Sequence, residues 1–124
     1  FLFELLNEFP NLINSNKNTQ QTYLDEALLY IQLNFQDNIS IMDIANHLSI
    51  DRSYLHRIFK RILNLSPQEY ILNLKLEKAT ELLSTTSLTI GDIARSVGYN
   101  DTMLFSKTFK KYKGCTPSRY RKFN

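Results

Sequence analysis

The sequence predicts an all-α fold in which a long linker helix joins two helix-turn-helix subdomains. The first observation is that three Gly and three Pro in 124 residues are few for a chain of many short strands and turns. The second is that a pattern of short helix, tight turn and second helix occurs twice. The third is the uninterrupted helical stretch over residues 66–84 between the two copies.

The internal repeat changes its register only at a turn. Residues 40–49 (SIMDIANHLS) match residues 89–98 (TIGDIARSVG) at a constant offset of 49, sharing Ile, Asp, Ile and Ala. Beyond the turn the offset is 50, and the matched pairs are Asp51 and Asp101, Phe59 and Phe109, Lys60 and Lys110, Pro67 and Pro117, and Tyr70 and Tyr120. A slip of one residue at a loop indicates two copies of one folded unit.

The second copy has clear helix-boundary signals. Thr89 is predicted to be an N-cap with Asp92 at N3, and Gly98 supplies a left-handed residue that ends the helix. The following helix, residues 101–112, is expected to bury Phe105, Thr108, Phe109 and Tyr112. Its opposite face is polar and basic, as in a helix-turn-helix that binds DNA.

The first copy follows the same scheme after an additional helix. A helix over residues 22–36 is expected to bury Ala27, Leu28, Ile31 and Phe35. Ser40 and Asp43 cap the next helix. Residues 51–62 form the first candidate recognition helix, whose predicted inward face contains Leu55, Ile58, Phe59 and Ile62.

The linker helix has the strongest start signal in the chain. Ser66 is its expected N-cap, Pro67 its first residue, and Glu69 completes a capping box. At about 1.5 Å per residue the helix is roughly 25 Å long. With the widths of the lobes added, this approaches the roughly 34 Å rise of one DNA turn, so two recognition helices would reach successive major grooves.

The predicted domain organisation has three parts and one leading segment. The chain opens FLFELLNEFPNLI without Met, so residues 1–21 are interpreted as the end of a missing upstream domain plus a polar linker, or as a segment that packs on the domain. Residues 22–124 form the domain proper. The first lobe is predicted at 22–65, the linker helix at 66–84 and the second lobe at 85–124.

Charge is distributed unevenly along the chain. Residues 1–50 contain one cation, Lys17, and six acids, whereas residues 51–124 contain the other fourteen of fifteen Lys and Arg residues and six acids. The basic character therefore begins where the first candidate recognition helix begins. A solvated charged surface does not predict this split, while attraction to phosphate does.

Several functional classes have no support in the sequence. No phosphate-cradling Gly loop or nucleophile with a partner base is visible, so no enzymatic activity, catalytic residue or cofactor is predicted. One Cys and two separated His residues predict no metal site. No apolar run is long enough to span a bilayer. The lone Cys115 cannot form an internal disulfide, which favours a cytoplasmic location.

The motifs resemble the AraC/XylS family of bacterial transcription regulators over about residues 22–124. The resemblance rests on the IMDIA and IGDIA helices, the ALLS-type end of the linker helix, and SVGYND followed by FSKTFKKYKGCTPSRYR. It implies seven helices in two lobes that bind adjacent major-groove segments of double-stranded DNA. It also implies activation through RNA polymerase and a separate upstream sensing or dimerising domain.

The resemblance assigns candidate DNA contacts by position. The expected base readers are Arg52, Ser53, His56 and Arg57 in the first lobe and Thr102, Met103 and Lys107 in the second. The expected phosphate contacts are Lys60, Lys110 and Lys111, with the helix starts at Ser40, Ile41, Thr89 and Ile90. Arg57 is the strongest candidate for a base contact, because Arg pairs bidentately with guanine. Arg119, Arg121 and Lys122 are expected to be solvated or near phosphate.

Alternatives remain for individual residues and for the whole domain. Arg57 could touch only phosphate, His56 could be a plain surface residue, and Met103 could pack inside the fold. The second recognition helix also departs from the family pattern, with Met103 and Leu104 at its start and Lys107 where Arg is usual. The rival functions are a protein-interaction module that docks an acidic partner and a non-specific nucleic-acid binder.

Overall fold

A computed structural model describes residues 16–123 of the chain, with side chains from residue 19 onward. The helices are α1 (Asn16–Asn34), α2 (Ile41–Leu48), α3 (Arg52–Leu63), α4 (Pro67–Thr85), α5 (Ile90–Ser96), α6 (Thr102–Lys113) and α7 (Pro117–Phe123). These seven α-helices and the absence of strands over residues 16–123 confirm the predicted all-α class. The predicted upstream apolar segment, in residues 1–15, lies outside the described part.

The first helix is longer at its start than predicted. It begins at Asn16 rather than Thr22, so residues 16–21 are helical where a polar linker was expected. The amide of Gln21 donates to the carboxylate of Asp25 one turn later at 3.0 Å, and Gln20 Oε1 accepts from Arg61 at 3.1 Å. Polar side chains therefore support this first turn of the helix. Because it lacks apolar residues at helical spacing, the sequence pattern did not predict it.

The first compact unit comprises α1, α2, α3 and the first turn of α4, up to Tyr70. Its buried apolar side chains are Leu24, Ala27, Ile31, Ile44, Ala45, Leu48, Leu55, Ile58 and Phe59. Two side chains predicted to be buried are not: Leu28 is half-buried and Ile62 is 37% exposed. Ile62 lies in the last turn of α3, beyond Phe59, which is the last buried residue of the helix.

The second compact unit contains α5, α6, α7 and α4 from Ile71 onward. Its core is formed by Leu76, Ala79, Leu83, Ile93, Ala94, Val97, Phe105 and Phe109. Tyr120 packs edge-on against Phe109, with 5.6 Å between ring centroids. Tyr112 is 52% exposed, contrary to the prediction, and Lys111 Nζ lies 5.5 Å from its ring centroid. Thr108 is half-buried and donates to the Leu104 carbonyl at 2.9 Å.

The predicted N-caps are present. Ser40 and Asp43 form a reciprocal capping box at 2.9 and 3.0 Å, and Ser66 and Glu69 form another at 2.9 and 3.1 Å. The Ser66 backbone N–H holds the pKa of the Glu69 carboxyl below its usual value. Thr89 Oγ1 accepts from the Asp92 N–H at 3.0 Å. These bonds satisfy helix N–H groups that have no partner within the helix.

The two recognition helices have equal lengths and matching ends. Both α3 and α6 contain 12 residues, capped by Asp51 and Asp101. Asn64 and Gly114, which match at the offset of 50, end them in left-handed conformations at φ 58° and 86°. The extra residue of the second copy lies in the turn between α5 and α6. The repeat in the sequence is therefore a repeat in the structure.

A short 3-10 turn, Phe35–Asp37, follows α1 and belongs with Asn38 to the second unit. Phe35 is buried there rather than on the face of a helix that continues to residue 36. The Gly98 backbone, at φ +94°, lies against this turn. A Cβ built on Gly98 would be 3.1 Å from both the Phe35 carbonyl oxygen and Asn38 Oδ1. The left-handed backbone therefore favours glycine here, and a side chain would also require these oxygens to move by a few tenths of an ångström.

Arg121 has a structural role rather than the solvated or phosphate-facing one expected. Its guanidinium donates to the carbonyls of Leu83, Thr86 and Leu88 at 3.1, 3.2 and 2.6 Å. These carbonyls belong to the end of α4 and the segment after it, where helix carbonyls lack intrahelical partners. The planar fork of Arg suits such a set of acceptors, which the flexible ammonium of Lys does not.

We expect Arg121→Lys to lower the free energy of unfolding by about 1–2 kcal/mol, since hydrogen bonds from a charged donor are lost while the charge is kept. Chemical denaturation followed by circular dichroism measures this change. Arg119→Lys is the matched control, because Arg119 is exposed and its guanidinium contacts the Phe123 ring rather than backbone carbonyls. Equal losses in both variants would contradict the structural role of Arg121.

Candidate nucleic-acid interface

The exposed face of α3 forms one wall of a groove of about 360 Å³. The groove brings together all four base readers predicted for the first lobe, which are Arg52, Ser53, His56 and Arg57. Ile41, Pro67 and Gln68 complete its lining. All four side chains are exposed. Their donors and acceptors are therefore available to an external partner, although their base-reading role stays a prediction.

The buried face of α3 determines where these side chains point. Leu55, Ile58 and Phe59 are fully buried, so the residues between them lie on the solvent side of the helix. The Arg57 guanidinium lies 5.6 Å from the centroid of the Tyr54 ring, and Tyr54 in turn packs edge-on against Tyr23 at 5.9 Å. The contact with Tyr54 restricts the Arg57 side chain in the free protein, so less rotamer entropy is lost when Arg57 binds a partner.

Gln68 is a groove residue that sequence reasoning missed. It follows Pro67 at the start of α4, and its exposed side chain lies beside the four polar residues of α3. An amide can donate to phosphate or pair with adenine. No local sequence signal links Gln68 to α3, because the proximity is created by the fold.

The corresponding face of α6 has a different chemistry. Met103 is 68% exposed and Leu104 is 54% exposed, so packing of Met103 inside the fold is ruled out. Lys107 is exposed one turn further along, whereas Thr102 is half-buried near Gly91. Met103 and Lys107 are accessible as predicted, and Thr102 is less so. The face offers one cation and an apolar surface where α3 offers a cluster of polar groups.

The predicted phosphate contacts at the starts of α2 and α5 differ in availability. The Ser40 N–H donates to the Asp43 carboxylate at 2.9 Å in the free protein, so an incoming phosphate would have to replace this bond, and the contact stays a prediction. Ile41 lines the α3 groove. The helix start at Thr89 and Ile90 has the carboxyl of Asp92 beside it. Hydrogen bonds to Thr89 and, to a smaller extent, Arg95 lower the pKa of this carboxyl. Asp92 and Arg95 also form an ion pair. A carboxylate at a helix start competes with phosphate for the same N–H groups.

The three lysines predicted to meet phosphate are all exposed. Lys60 Nζ lies 3.8 Å from the Glu69 carboxylate. Lys111 lies over the Tyr112 ring. Lys110 lines a second groove, of about 680 Å³, together with residues of α7. An exposed lysine suits phosphate, which it meets as a point charge.

Two further features are absent from residues 16–123. No helix in this range has both the length and the apolar character to cross a membrane. No group of three or more His, Cys, Asp and Glu side chains in the same range is arranged to hold a metal ion.

Comparison with known proteins finds the helix-turn-helix domain family over residues 44–122. The raffinose operon transcriptional regulatory protein of Pediococcus pentosaceus is 39% identical over 120 residues, which cover 97% of this chain and 43% of that protein. The lactose operon transcription activator of Staphylococcus xylosus is 36% identical over 120 residues, with the same two coverages. The chain thus spans less than half the length of these relatives.

The fold also matches solved structures. A transcriptional regulator from Chromobacterium violaceum, described as AraC-type with a DNA-binding domain, superposes with a TM-score of 0.75 at 34% sequence identity. The match covers 82% of this chain and 90% of the other. The similarity therefore extends over nearly the whole of the described helices.

Proposed function

This chain belongs to the AraC-type family of helix-turn-helix transcription regulators and is a DNA-binding domain, and we propose that α3 and α6 enter successive major grooves of its site. The α3 groove supports this proposal most directly. It gathers two arginines, a histidine and a serine on one exposed helix face while the opposite face is buried. Such a face presents hydrogen-bonding groups to base edges without any rearrangement of the core.

The two helices would read DNA by different chemistry. The α3 face carries Arg52 and Arg57, which can meet guanine bidentately, so it supplies most of the base specificity. The α6 face carries Met103 and Lys107, so it contributes apolar contact with thymine methyl groups and a weaker cationic contact. The exposed Lys60, Lys110 and Lys111 add phosphate contacts that position the domain without reading sequence.

The complete protein is proposed to be a cytoplasmic activator that contacts RNA polymerase. A further N-terminal domain would sense a signal or dimerise, because the matched segment accounts for only 43% of the two relatives compared above. The description of one of them as a transcription activator supports the direction of regulation.

Selection of bound duplexes from a random-sequence pool, at near-physiological salt, tests the DNA-binding proposal. We expect a motif with two informative blocks whose centres lie about one helical turn, roughly 10 base pairs, apart. A single block would mean that one lobe reads bases and the other only holds the backbone. Absence of any enrichment would overturn specific recognition and favour a non-specific binder or a module for an acidic protein partner.

A further inference from the structure

We propose that the groove between the end of α6 and α7 binds a DNA backbone phosphate, and that the first lobe has no equivalent site. This inference rests on the proposed DNA-binding function and adds a contact to it. Three cationic side chains, Lys110, Arg119 and Lys122, line the groove. The hydroxyl residues Thr116 and Ser118 line it as well, so both charge and hydrogen-bond donors converge on a space of about 680 Å³.

The internal repeat shows that the fold itself does not need these cations. At the offset of 50, Lys110 corresponds to Lys60, but Arg119 corresponds to Glu69 and Lys122 to Leu72. In the first lobe Glu69 lies 3.8 Å from Lys60 and closes the capping box with Ser66. In the first lobe an acid therefore lies beside the lysine at this position, whereas in the second lobe the matching lysine has two further cations as neighbours.

The second-lobe cations have no acidic partner among residues 16–123. The ion pair at this end of α6 is made by Lys113, whose Nζ lies 3.0 Å from the Glu77 carboxylate, and it leaves Lys110 unpaired. Like charges gathered in one groove repel each other, and the repulsion is relieved when an anion enters. A cluster of cations without an acidic partner is therefore a candidate site for an anionic ligand.

Neighbouring contacts hold the cations at the groove. The Arg119 guanidinium and Lys122 Nζ lie 5.4 and 5.7 Å from the centroid of the exposed Phe123 ring. Thr116 Oγ1 accepts the Arg119 N–H at 3.2 Å, which leaves its own hydroxyl proton available to an incoming oxygen. Three cations and two hydroxyls around one space suit the several oxygens of a phosphate.

The position of Lys110 on α6 identifies the anion as the DNA backbone. Lys110 lies three residues after Lys107 and seven after Met103, so all three share one helix face, with about 10 Å along the axis between the first and last. Residues at the start of a recognition helix contact base edges. The end of this face that carries Lys110 would then lie at the wall of the DNA major groove, which the backbone phosphates form.

The test compares Arg119→Gln with Lys78→Gln, which removes the same charge from an exposed pair with Glu81 on α4. Affinity for an arbitrary duplex is measured over a range of salt concentrations. We expect the magnitude of the slope of log K against log[salt] to fall by about 0.9 in Arg119→Gln and to stay unchanged in Lys78→Gln. The ratio of affinities for a selected and an arbitrary duplex should not change in either variant, because phosphate contacts carry no sequence information.

A second variant separates binding from folding. Arg119→Glu should be at least as stable as the parent chain, because the introduced acid repeats the Ser66–Glu69 capping box, yet it should bind duplex still more weakly. An unchanged salt slope in both Arg119 variants, with specific binding intact, would overturn the phosphate site and leave the proposed function standing. A changed ratio of affinities for selected and arbitrary duplexes would also overturn the phosphate site. So would variants that bind polyglutamate, a model of an acidic protein partner, more weakly than the parent chain while their duplex binding is unaltered. Failure of the parent chain to bind any duplex would overturn both proposals.

Discussion

Arg57→Ala is expected to reduce discrimination at one base pair of the preferred site by about 5- to 150-fold, or roughly 1–3 kcal/mol. The exposed guanidinium is held over Tyr54 at the groove formed by α3, where it can meet a guanine with two parallel hydrogen bonds. Competition between the preferred duplex and its single-base variants measures the effect. The salt dependence of binding to an arbitrary duplex should change little, because the lost contact is to a base.

Arg61→Ala is the matched control for this prediction. Arg61 lies one turn further along the same helix and donates to Gln20 Oε1, and it does not line the groove. We expect it to leave the preference at every base pair unchanged. If Arg57→Ala instead weakened binding to all duplexes by one factor and reduced the salt slope by about 0.9, Arg57 would be a phosphate contact.

Gly98→Ala is expected to lower the free energy of unfolding by about 2–5 kcal/mol, the sum of two costs. An alanine at φ +94° incurs the left-handed penalty of roughly 1–2 kcal/mol. Its Cβ would also approach the Phe35 carbonyl oxygen and Asn38 Oδ1 to 3.1 Å, and overpacking of this kind costs about 1–3 kcal/mol. Chemical denaturation followed by circular dichroism at 222 nm measures the loss.

Gly114→Ala isolates the conformational part of this effect. Gly114 has nearly the same backbone, at φ +86°, but nothing lies within 4 Å of a Cβ built on it. Its substitution should cost only the left-handed penalty, about 1–2 kcal/mol. Equal losses in the two variants would mean that the close approach of Gly98 to the 3-10 turn has no energetic consequence.

Much of the fold could be predicted because its signals are local. The capping boxes at Ser40 and Ser66 and the left-handed ends at Asn64 and Gly114 depend on residues within one turn of each other. The repeat then supplied the tertiary information, since Phe59 and Phe109 occupy matching core positions. The exposed face of α3 follows from the same periodicity.

The errors arose where distant partners decide the outcome. Periodicity assigns Ile62 and Tyr112 to inward faces, but it does not say that packing partners end before the last turn. The role of Arg121 depends on three carbonyls more than thirty residues away. Gln68 reaches the α3 groove only in the folded chain. Such contacts have no pattern in a single sequence.

The central claim, that each lobe reads its own block of bases, is tested most directly by repeating the duplex selection with two variants. One carries Arg57→Ala in α3, and the other carries Met103→Ala and Lys107→Ala in α6. We expect each variant to lose information in one block and to retain the other block, with the two variants affecting different blocks. Loss of the same block in both variants, or equal loss across both blocks, would contradict separate reading by the two helices.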